Sequence, residues 1–126
     1  MNDARALSVT SNRTGLLAQI EAHVVELLGE EDPEFVADLI DTFVECARES
    51  VEAVRAARAA GDMTALGAAA HSLRGSASNV GLTGLFNRWT EVEENARRAT
   101  LSPGDVEAPL AETERALETL AQTRAA

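Results

Sequence analysis

Lysine and tyrosine are absent from this 126-residue sequence, and cysteine and tryptophan occur once each. With Cys46 as the sole thiol, no internal disulfide can form and no cysteine-rich metal site can be built. The only histidines, His23 and His71, are too far apart for a two-histidine zinc motif on one helix, so no metal site is expected. Aromatic residues make up 3% of the chain, and no basic or aromatic cluster accompanies Trp89, which reads as core. No apolar run approaches the ~18 residues of a spanning helix. The opening MNDARALSVTSNR lacks the hydrophobic region of a secretion signal. A cytoplasmic location with no membrane partner is the expectation. Positive charge is scarce: eleven arginines face 21 acidic residues, for a net charge of −10. That balance repels nucleic acid and anionic lipid alike.

What the chain does have is alanine, leucine and apolar residues at helical spacing. Residues 1–12 are polar and irregular, and predict a flexible N-terminal arm ahead of one domain at 13–124. A first helix is expected from Thr14 to Leu28, with Leu16, Leu17, Ile20, Val24, Leu27 and Leu28 along one side and Gly29 as the stop. Asp32-Pro33-Glu34 is a start signal for a second helix reaching residue 60, with Asp32 as cap and Pro33 in the first turn. Its stripe runs through Val36, Ile40, Phe43, Ala47, Val51 and Val54; Cys46 lies near it and is expected to be buried and inert. Gly61-Asp62 is a short turn that caps a third helix, and helices two and three should pack antiparallel. A fourth helix follows Gly81-Leu82-Thr83-Gly84 to about Ala99, carrying Leu85, Trp89, Val92 and Ala96. A last helix begins at Pro103 or Pro109. The predicted fold is all-α: an antiparallel up-down four-helix bundle with an additional N-terminal helix.

The chemistry concentrates in residues 62–81. Positions three or four residues from His71 share its helical face, and they are Gly67, Ala68, Arg74 and Gly75, with Ser78 a further turn away. The opposite stripe of Leu66, Ala69, Ala70, Leu73, Ala77 and Val80 can enter a core. Each glycine inside a helix costs roughly 1 kcal/mol relative to alanine, so two beside one imidazole suggest close approach by another molecule. From Met63 to Thr90 there is no aspartate or glutamate. Ser72, Ser76 and Ser78 have no local acid to complete a triad. The segment Gly75–Thr83 lacks the lysine and spacing of a phosphate-binding loop. What remains is His71 as a nucleophile for a phosphoryl group, Arg74 as its charge partner, and bare helix surface for the donor.

The string AAAHSLRGSASNVGLTGL resembles the signature of histidine-containing phosphotransfer domains, and the likeness extends through GEEDPEFVADLIDTFVECA. The resemblance implies that His71 is the phosphoacceptor and Arg74, where lysine is commoner, stabilises the phosphoryl charge. It implies docking through Gly67, Ala68, Gly75, Ser76 and Ser78, with Gly81 as the later glycine and Thr42 as a polar residue on the histidine side. The implied function is phosphoryl transfer between aspartates of response-regulator receiver domains, without autokinase activity. The expected partners are those receivers and a hybrid histidine kinase. No cofactor is expected on this chain, since magnesium would sit on the receiver, and a monomer is expected. Two alternatives stay open at this stage: a helical interaction module that carries no phosphate, and a separate phosphoacceptor domain of a chemotaxis-type kinase.

Overall fold

In the computed structural model, which describes residues 4–125, the chain forms five α-helices: α1 (Ala4–Leu28), α2 (Pro33–Ala60), α3 (Met63–Val80), α4 (Thr83–Arg97) and α5 (Glu107–Ala125). The all-helical bundle expected from the periodicity is what forms, and no strand occurs among the described residues. None of the described helices is long and apolar enough to cross a membrane.

The starts of α2 and α3 are set by the predicted caps. The Asp32 carboxylate accepts the Phe35 N–H at 3.1 Å, and the Asp62 carboxylate accepts the Ala65 N–H at 3.0 Å. Each such cap contributes about 1 kcal/mol by satisfying a donor that the helix itself cannot. The ends of the same helices are glycines in the left-handed region, Gly61 at φ 68° and Gly81 at φ 79°. Two tight turns follow, so α2, α3 and α4 run up, down and up.

Gly81 carries a second constraint. A Cβ built on it would lie 2.6 Å from the Cβ of His23 on α1, closer than real side chains approach. His23 is therefore a packing residue, half-buried against the α3–α4 turn. The next residue, Leu82, makes no capping bond for α4 but is 1% exposed, so the turn trades a cap for an anchor in the core.

All six predicted core residues of α3 are buried, as are Leu85, Trp89, Val92 and Ala96 of α4. Trp89 is core, and its polar edge is satisfied. The indole Nε1 donates to Thr113 Oγ1 at 2.8 Å, and that hydroxyl donates to the Pro109 carbonyl at 2.8 Å. Thr113 is the one polar residue among the buried side chains of the described residues.

Several expectations are corrected. The 4–12 segment, expected to be an irregular arm, is helical and continuous with α1. No proline or glycine interrupts it, and the polarity that suggested a loop does not by itself break a helix. Residues 1–3 of the expected arm lie outside the described residues. Leu27 and Leu28, predicted on the buried side of α1, are 58% and 46% exposed, because only Ile20 and Val24 of that stripe are fully covered. Cys46 is exposed. It stands one residue before Ala47, and at about 100° per residue that places it more than a quarter turn from that buried position. Helix α4 ends at Arg97, and Ala99 takes a left-handed φ of 56° in the closing turn. Neither proline alone opens the last helix: a 3-10 turn spans Pro103–Val106, and Pro109 falls in the first turn of α5.

Replacing Gly81 with alanine would impose both a left-handed alanine and a clash with His23. We expect a loss of about 2–4 kcal/mol in urea unfolding, the sum of a strained φ and an overpacked contact. A loss below about 1 kcal/mol would show that α1 does not press on this turn.

Candidate functional site

His71 sits near the middle of α3 with its side chain 61% exposed, on an open surface and not in an enclosed cavity. Its ring is not isolated. Glu93 reaches across from α4 and places Oε2 2.9 Å from His71 Nδ1. Arg74, one turn further along α3, brings Nη2 to 3.0 Å from the same nitrogen. Arg74 Nε also lies 3.0 Å from Glu93 Oε1. That N–H is buried and makes no aligned hydrogen bond, so the contact is an ion pair and no more. The Arg74 guanidinium stands 5.9 Å from the centre of the Phe86 ring, within cation–π range. Arg97, 72% exposed, lies 3.7 Å from Glu93 Oε2.

Two groups compete for Nδ1, and the chemistry decides between them. A carboxylate can only accept, so a bare Nδ1 facing it at 2.9 Å would set acceptor against acceptor. A protonated Nδ1 makes a charge-assisted bond to Glu93. Arg74 Nη2, itself only a donor, is then set against the Nδ1–H, while Arg74 keeps its ion pair with Glu93 and its place over Phe86. Engagement by Glu93 corresponds to the tautomer with the proton on Nδ1. Nε2 is left with its lone pair and no partner among the described residues.

Glu93 is the residue that reading along the sequence misses. The stretch Met63–Thr90 is free of acids in sequence but not in space. A signal existed in the hairpin register. The α3–α4 turn centres on Leu82, and His71 and Glu93 each stand eleven residues from it. Two helices joined by so short a turn place such positions opposite one another. The carboxylate does not make the surface acidic, because Glu93 is only 16% exposed and is covered by Arg74 and Arg97.

The other predicted residues divide into groups. Ala68, Gly75 and Ser78 are exposed on the His71 face, and a Cβ on Gly75 would meet nothing within 4 Å. Gly67 is half-buried, and its hypothetical Cβ would lie 3.5 Å from Ala96 Cβ, so its small size faces α4 as well as solvent. Ser76 is half-buried and, five residues from His71, points away from the ring by about 140°. Thr42 is exposed on α2. In the α2–α3 hairpin it lies level with Gly81, ten residues or roughly 15 Å along α3 from His71. Among the described residues, no group of three or more His, Cys, Asp or Glu side chains could hold a metal ion.

An exposed, oriented imidazole beside clustered arginines on a helical bundle defines a phosphoryl-carrying class of protein. Comparison with known proteins agrees. Residues 38–126 match the family model of the Hpt domain. The fold is similar to the crystal structure of histidine-containing phosphotransfer protein B from Pseudomonas aeruginosa PAO1, with a TM-score of 0.64 and 33% identity over 80% of this chain and 83% of that one. A search of the curated proteins returns no significant match. The chain belongs to the Hpt domain family: it is a histidine-containing phosphotransfer protein of a phosphorelay, a phosphocarrier and not a kinase.

Removing the Glu93 carboxylate should release the tautomer. In Glu93→Ala, the 15N shifts of the His71 ring should move toward the Nε2-protonated form. Phosphotransfer should slow by roughly tenfold, the equivalent of one charge-assisted hydrogen bond of about 1.5 kcal/mol. An unchanged tautomer would remove Glu93 from the assignment.

Proposed function

We propose that His71 is the phosphoacceptor and that Arg74 stabilises the phosphoryl group it carries. The donor and acceptor are aspartates of response-regulator receiver domains, one of which can belong to a hybrid histidine kinase. The observation that carries this reading is the exposed Nε2 edge of an imidazole whose Nδ1 is already engaged by Glu93. The Nε2 lone pair attacks the phosphorus of an aspartyl phosphate. The N–P bond forms as the P–O bond breaks, and the electron pair leaves with the aspartate carboxylate. Positive charge develops on the imidazole ring, and the Nδ1–H bond to Glu93 stabilises it as the ring becomes a phosphoimidazolium. Transfer onward reverses these steps. Arg74, 3.0 Å from the ring, is placed to meet the phosphoryl oxygens.

The docking surface in this reading is the small-residue face of α3 around the ring: Gly67, Ala68, Gly75 and Ser78. A receiver active site is rich in aspartate, and the arginines over Glu93 present it with positive charge on an otherwise acidic protein. Any magnesium the reaction needs belongs to the receiver. The transfer unit is the bundle at 13–124, acting as a monomer in the cytoplasm.

Incubation with a phosphorylated receiver should label the protein with acid-labile, base-stable phosphate. His71→Gln should abolish the label while leaving the helical circular dichroism intact; label retained in that variant would overturn the assignment.

Gly75→Gln separates docking from folding. A Cβ there meets nothing, and replacing a mid-helix glycine should raise stability by about 0.5–1 kcal/mol. The same change should cut phosphotransfer by at least tenfold by filling the approach path. A variant that is more stable and transfers at the wild-type rate would rule out docking over Gly75.

A further inference from the structure

The His71 site holds two anions in its working cycle but shows only one. In the unphosphorylated protein, Glu93 draws both nearby arginines, with Arg74 Nε at 3.0 Å and Arg97 Nη2 at 3.7 Å. Once Nε2 carries a phosphoryl group, roughly two negative charges arrive beside that carboxylate. Both anions then need cations, and the two arginines are the ones at hand.

Their geometry differs in a way that assigns them. Arg74 already has Nη2 3.0 Å from the imidazole, is held over Phe86, and meets Glu93 through a misaligned N–H. It can turn to the phosphoryl oxygens with little travel and little loss. Arg97 lies on α4 four residues from Glu93, the spacing at which helical side chains meet, and with 72% exposure it is free to close the remaining distance.

We infer that Arg97 is a positioning residue that takes over Glu93 when His71 is phosphorylated, freeing Arg74 for the phosphoryl group. This exchange rests on the assignment of His71 as phosphoacceptor. Without Arg97, Glu93 keeps its hold on Arg74 and also faces the phosphoryl group as an uncompensated negative charge. Phosphohistidine should then be shorter-lived. Arg97 does not touch the phosphoryl group in this scheme, so its effect must pass entirely through the charge at position 93.

That dependence is the test. Phosphohistidine half-life is measured on the full chain for wild type, Arg97→Ala, Glu93→Gln and the double variant, after labelling from a phosphorylated receiver and removal of the receiver. Arg97→Ala should shorten the half-life roughly two- to fivefold, the range set by an exposed ion pair. In the Glu93→Gln background the same substitution should change it by less than about 1.5-fold. Equal factors in the two backgrounds would mean that Arg97 acts on the phosphoryl group directly, and no shortening in the first would mean that it does not act at all. Either result overturns the exchange while leaving His71 as the carrier. Failure of wild type to take up label would remove both readings together.

Discussion

The register of the α3–α4 hairpin is the constraint on which the site depends. It is set at one turn, where Gly81 must be left-handed and must admit His23 from α1, and where Leu82 is driven into the core. A helical hairpin is stiff once its turn and apolar seam are fixed. Residues equidistant from the turn are then held opposite one another, His71 with Glu93 among them. A slip of one residue would rotate Glu93 by about 100° and break the contact. The element that looks least chemical, a glycine ten residues from the histidine, is thus what orients it.

Electrostatics around the ring are arranged in layers. Glu93 engages the inner nitrogen of the imidazole, and the arginines cover Glu93. The outward result is an exposed ring with positive charge beside it, on a protein whose net charge is −10. Arginine at position 74 suits this arrangement. Its planar group pairs with Glu93 while its Cζ stands over the Phe86 ring. The compact ammonium of lysine is a point charge without that planar, delocalised group.

Most of the fold was legible because the chemistry that builds it is local. Asp32, Asp62, Gly61 and Gly81 announce their roles by residue type and position, and the apolar stripes of α2, α3 and α4 announce their faces. The failures came where burial depends on what lies across from a residue. Cys46 borders a stripe yet faces solvent, and Leu27 lies on a stripe whose far end is uncovered. In the site, His71, Arg74 and Gly75 were readable as neighbours on one helix. Glu93 and Phe86 come from the next helix, where only the hairpin register could have pointed to them. Thr42, implied by the family likeness, lies on α2 and not on the histidine's own helix.

The bond from the Trp89 indole to Thr113 links the helix bearing Glu93 to α5, one turn from the carboxylate. Because this is the sole tryptophan, the protein's intrinsic fluorescence comes from one buried indole with a single defined hydrogen-bond partner. Its emission therefore reports on the seating of α4 against α5, the contact that holds the acidic half of the site in place. A partner pressing on α3 from outside would be visible there only if it moved α4, which makes the indole an optical test of whether docking is rigid.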